Sequence, residues 1–106
     1  MSAMQGRRLV DLAQVIRSKN AGPLHLTLDI LFPDAAAYGL AVQSPALSAA
    51  AIARLYAVDA ASVQVIPFAA ANAIKVVMDR PVIAGSPGDT DVYGAQQHRP
   101  LLGVVL

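Results

Sequence analysis

The chain has 106 residues, of which 56% are hydrophobic and 14% charged, with a formal net charge of +1; that length bounds it to one domain that buries about 65% of its unfolded surface. Its cations (Arg7, Arg8, Arg17, Lys19, Arg54, Lys75, Arg80 and Arg99) are scattered, and Trp is absent, so nucleic-acid binding by a basic, base-stacking surface is excluded. Cysteine is absent and every acid is an aspartate, which removes disulfides, thiolate chemistry, zinc–cysteine sites and any paired-glutamate active site.

Residues 1–8 are short and polar and are expected to form a disordered arm, with a single α+β domain over residues 9–106. Residues 9–17 fit two periods: Leu9, Leu12, Ala13 and Ile16 share a helical face, while Val10, Leu12, Val15 and Ile16 fit an extended buried segment. Residues 18–23, Ser-Lys-Asn-Ala-Gly-Pro, read as a turn. Residues 24–32 alternate, with Leu24, Leu26, Leu28, Ile30 and Phe32 on one face and His25, Thr27, Asp29 and Leu31 on the other, the pattern of a half-buried strand.

Asp34 is placed to cap a helix over residues 35–42, which Ser44-Pro45 ends. Ser48 is placed to cap a second, with Leu47 and Ile52 forming a hydrophobic staple and Ile52, Leu55 and Tyr56 its apolar face. Residues 63–68 read as a strand that Pro67 confines to an edge. A short connection over 69–72 leads to a β-rich run over 73–78, and residues 101–106 read as a last strand. The order suggests an α+β fold, a ferredoxin-like two-layer sandwich with helices on one face of a mostly antiparallel sheet. The apolar excess is too great for one small core, which predicts a homo-oligomer or a larger partner. No apolar run reaches the ~20 residues that span a bilayer. The N-terminus carries no secretory signal, so the chain reads as cytoplasmic with no membrane partner.

Polar chemistry concentrates in residues 85–100: three glycines, two prolines, two carboxylates, two amides, three hydroxyls, an imidazole and a guanidinium. Gly85-Ser86-Pro87-Gly88 reads either as a pair of structural turns or as a nest of backbone N–H groups for an anion. It lacks the Gly-Lys-Ser/Thr ending of a phosphate loop. Asp89 and Asp91 read as caps and Asx-turns, or as a pair that shares a divalent cation. Tyr93, Gln96 and Gln97 offer groups to orient a carbonyl or water, His98 is the best acid–base candidate, and Arg99 is suited to clamp a carboxylate. A second polar island, Arg17-Ser18-Lys19-Asn20-Ala21-Gly22, reads as a solvated turn or as a holder of an anionic small molecule.

Two stretches, IRSKNAGP at residues 16–23 and GSPGDTDVYGAQQHRPLL at 85–102, together with IARLY at 52–56 and NAIKVVMDRP at 72–81, resemble a small bacterial domain family of unknown function. Its members stand beside, or are fused to, proteins of the acyclic terpene utilisation A type. The resemblance covers residues 9–106. It implies a catabolic setting in organic-acid or acyl-CoA breakdown and a large partner chain of that type. The partner type carries a ferredoxin-like domain that starts Arg-Ser-Gly-Asp-Lys-Gly, to which residues 17–22 are only loosely similar. Residues 35–51 are richer in alanine and poorer in charge than the family pattern.

On this reading the chain is a small subunit of a two-component lyase or hydratase acting on a carboxylate or acyl-CoA. Arg17, Ser18, Lys19 and Asn20 would bind substrate with Gly85, Ser86, Gly88, Tyr93, Gln96, Gln97 and Arg99, and Asp89, Asp91 and His98 would handle protons or a cation. The competing reading is a non-catalytic homo-oligomeric binding or scaffold module whose polar loop forms an interface.

Overall fold

The computed structural model describes residues 7–20, 24–79 and 99–106. Among them, the alternating segment forms strand β2 (His25–Leu31) at the centre of a four-stranded sheet. Strand β1 (Val15–Asn20) flanks it on one side, β4 (Ala73–Asp79) on the other, and β3 (Gln64–Phe68) pairs with the outer side of β4. Every pairing is antiparallel. Pro67 lies in β3, the edge strand of the sheet beside β4, as a residue without an N–H requires.

The segment that fitted both periods divides. Leu9–Leu12 makes a single helical turn, α1, and the chain is extended from Val15 onward. The turn expected over residues 18–23 does not hold for its first half: Ser18, Lys19 and Asn20 continue β1, paired with Leu28, Thr27 and Leu26, and residues 21–23 lie outside the described residues.

Both main helices follow their caps. Helix α2 (Ala35–Gln43) starts where the Asp34 carboxylate accepts from the Ala37 N–H at 2.9 Å. Its Tyr38 ring stands edge-on to Phe32, with centroids 6.4 Å apart. A 3-10 turn (Pro45–Leu47), capped by Ser44, leads to α3 (Ala49–Tyr56), where the Ser48 hydroxyl accepts from Ala51 N–H at 3.2 Å. Leu47 and Ile52 both enter the core, as the staple requires. Helix α3 ends with Ala57 left-handed at φ 56°, its N–H bonded back to the carbonyls of Ala53 and Arg54.

Ala37, Ala41, Ile52, Ala53 and Tyr56 of the helices join Leu26, Leu28, Ile30, Ile74, Val76 and Met78 of the sheet in one core. The helices therefore cover one face of an antiparallel sheet, an α+β arrangement. Both fall in the single connection between β2 and β3, whereas a ferredoxin-like layout spreads two helices over two β-α-β crossovers. The described residues thus carry the two-layer α+β assignment and not the ferredoxin-like connectivity.

The expected last strand is also corrected. Arg99–Gly103 is a 3-10 turn, and only Val105 pairs, in an isolated bridge with Arg8. The buried Leu101 joins Leu9 of α1 in the core. A bond from Leu9 N–H to the Val104 carbonyl at 2.9 Å and one from Leu106 N–H to the Arg7 carbonyl at 2.8 Å tie the two chain ends together. The large apolar side chains left exposed (Val10, Val15, Leu24, Val42, Leu55, Phe68 and Val105) lie on separate elements. Among the described residues no helix is long and apolar enough to cross a membrane.

Candidate functional site

The sheet face turned away from the helices is built by strand parity. In β2 the odd-numbered residues point there, and register carries that parity into the neighbouring strands. Arg17 of β1 pairs with Asp29 of β2, Asp29 with Lys75 of β4, and Lys75 with Ile66 of β3, so Arg17, Asp29, Lys75 and Ile66 form one row across the sheet. On one side lies the row Lys19, Thr27, Val77, Gln64; on the other lies Val15, Leu31, Ala73, Phe68. Neighbours within a row stand ~5 Å apart, and rows on the same face ~7 Å apart.

The middle row alternates cation, anion, cation. The Arg17 Nε donates to Asp29 Oδ2 at 3.3 Å, with the guanidinium side chain 63% exposed and the carboxylate only 15%. An exposed pair of this kind contributes ~0–1 kcal/mol to stability, so its value lies in orientation. It draws the guanidinium along the row, and Lys75 stands opposite Asp29 on the next strand. Among the described residues neither Lys19 nor Lys75 makes an ion pair.

These side chains border a depression of about 330 Å³, in which Arg17, Lys19 and Lys75 face the single carboxylate of Asp29. Leu31, Phe68, Ala71 and Ala73 supply its apolar lining. Three cations against one anion leave a local positive excess on an otherwise almost neutral chain. The arrangement suits an anionic group lying beside an apolar surface. At the far end of the same face His25 Nε2 lies 3.6 Å from Asp79 Oδ1, an exposed pair outside the depression. A second depression, of about 280 Å³, lies between the chain before α1 and the start of α2 and includes Arg7, Asp11 and Asp34. The Asp34 carboxylate there is already committed to the α2 cap.

Of the residues expected to form a site, Arg17 and Lys19 come together on this face. Ser18 and Asn20, one residue out of phase, turn to the helix-covered side, where Ser18 is buried. Gly85, Ser86, Gly88, Asp89, Asp91, Tyr93, Gln96, Gln97 and His98 lie outside the described residues. Arg99 opens the C-terminal 3-10 turn. Among the described residues no group of three or more His, Asp or Glu side chains is arranged to hold a metal ion; the Asp89 and Asp91 pair lies outside them.

Lys75 and the apolar row through Phe68 escaped the sequence reading. The usable signal was parity: a lysine between isoleucine and valine in a strand, Ile74-Lys75-Val76, marks the face that the core does not take.

Fold and site together define a small α+β domain with a core-bound and a charged sheet face. The chain belongs to the family described as Domain of unknown function (DUF4387), whose model matches residues 9–105. No curated protein and no solved structure matches the chain.

Proposed function

We propose that this chain is the small subunit of a two-component bacterial catabolic enzyme and that its charged sheet face holds the anionic group of the substrate. The substrate class is a carboxylate or acyl-CoA, the chemistry is lyase or hydratase work, and the partner is a large chain of the acyclic terpene utilisation A type. The observation that carries the reading is the row Arg17–Asp29–Lys75 with Lys19 beside it, three cations around one depression. Charge alone would steer an anion there; the oriented guanidinium and the flanking ammonium groups give it two-sided recognition.

In this reading Arg17, Lys19 and Lys75 bind and position, and the polar residues Asp89, Asp91 and His98 supply proton transfer or hold a cation. Co-expression with the large chain tests the proposal. The two are expected to co-purify, with substrate turnover only when both are present and a loss of at least tenfold for Lys75→Ala. Full turnover by the large chain alone would contradict it.

A further inference from the structure

We infer that the depression on the sheet takes a free carboxylate with an apolar acyl body, its head over the charged row, held by Lys19, Lys75 and the exposed side of the Arg17 guanidinium, and its body over Leu31, Ala73 and Phe68; this rests on the anion-binding reading above and narrows its substrate class. The rows set the direction. Moving from the charged row toward Phe68, the next four positions are Val15, Leu31, Ala73 and Phe68, none with a side-chain donor or acceptor. A ligand anchored at the cations and extending that way meets, among the described residues of that row, only hydrocarbon side chains. A second charged or hydroxylated group on that side would lose its water with no partner.

The shape of that row is uneven in a useful way. Ala73, directly opposite Phe68, is small, and so is Ala71 beside the depression, while Phe68 is 48% exposed at the sheet edge. A large ring standing next to two alanines makes a wall and a floor with space between them. An aromatic side chain half in water gains its remaining burial when a hydrocarbon body lies against it. Size and charge both favour a free acid over a coenzyme-A thioester. The depression, at about 330 Å³, is at the low end for a ligand cavity. Its three cations, one already paired to Asp29, match a single carboxylate better than a string of phosphates.

Titration of the full chain with butyrate, hexanoate and octanoate, followed by amide NMR shifts at Lys75 and Phe68, tests the inference. Affinity is expected to rise about fourfold per buried methylene. Phe68→Ala is expected to flatten that rise, with Phe68→Leu restoring part of it. Ala73→Leu, which fills the floor, is expected to weaken octanoate and leave butyrate unchanged. Lys75→Ala is expected to weaken all three acids alike, and octylamine, with the same chain and the opposite charge, is expected not to bind. Equal affinity along the series with Lys75 dependence intact overturns the apolar-body inference and leaves the anion site standing. So does a rise that survives Phe68→Ala and Ala73→Leu. Binding of none of the acids, or binding indifferent to Lys75→Ala, overturns the anion site itself.

Discussion

The two faces of one sheet obey different rules in this protein. Toward the helices, β2 and β4 present Leu26, Leu28, Ile30, Ile74, Val76 and Met78, each at most 1% exposed. From the same two strands, one residue out of phase, the other face presents Thr27, Asp29, Leu31, Ala73, Lys75 and Val77. The first set is what a small domain needs for a core. Of the second set only Thr27 is buried, at 5%, and the Arg17–Asp29 pair on that face adds about 1 kcal/mol or less. An arginine paired to a carboxylate, with a lysine in register on its other side and an apolar row beside them, is the feature on which the proposed anion site rests.

That contrast can be broken or sharpened by substitution. The largest effect is expected from the core face: Leu28→Ala should cost about 2–5 kcal/mol, because it empties a fully buried position between sheet and helices. Chemical denaturation measures it directly, and a loss below about 1 kcal/mol would mean that the core face is looser than its burial indicates. Ser48→Ala should cost about 1 kcal/mol by removing the acceptor for Ala51 N–H at the start of α3. This helix is one of the two that hold the core face covered, so the cap acts on that face only.

The helix side also carries a pH dependence. Burial pushes the Tyr56 phenol above its ordinary value of 10.0. The folded protein thus retains a proton that the unfolded chain releases, and stability falls as pH rises above about 10. Tyr56→Phe should flatten this alkaline decline in thermal melts taken from pH 8 upward. An unchanged decline would place its origin elsewhere. The smallest effect on stability is expected from the charged face: Lys75→Ala should shift it by no more than about 0.5 kcal/mol.

Much of the helix-covered half was legible in the sequence. The alternation through residues 24–32 identifies a strand because one face only is buried, and Asp34 and Ser48 stand where helices need their first acceptors. Pro67 marks an edge for a backbone reason that no tertiary contact alters. The failures have equally local causes. Arg17 to Asn20 has the composition of a turn, but pairing with β2 outweighs that propensity. Leu9, Leu12 and Ile16 suit a helix although the chain changes from helix to strand between them. At the C-terminus a β-rich composition gives a 3-10 turn, since only Val105 finds a strand partner.

The charged depression was legible only in its β1 share. Arg17 and Lys19 could be singled out as a cationic pair, yet Ser18 and Asn20 were grouped with them because adjacency in sequence conceals alternation across a strand. Lys75 could not be joined to Arg17 from sequence, because their meeting depends on β4 lying beside β2 and on the register that sets Asp29 between them. Register is a tertiary outcome, fixed by the buried face and inherited by the exposed one.

The most direct test of the charged face compares the full chain with Lys75→Ala in a titration with hexanoate, each first shown by thermal melting to be equally folded. The account predicts saturable binding whose amide shifts centre on Arg17, Lys75 and Phe68, weakened at least fivefold by the substitution with no change in melting temperature beyond about 2 °C. Hexanoate binding of equal strength in both proteins, or shifts confined to the helices, would contradict it.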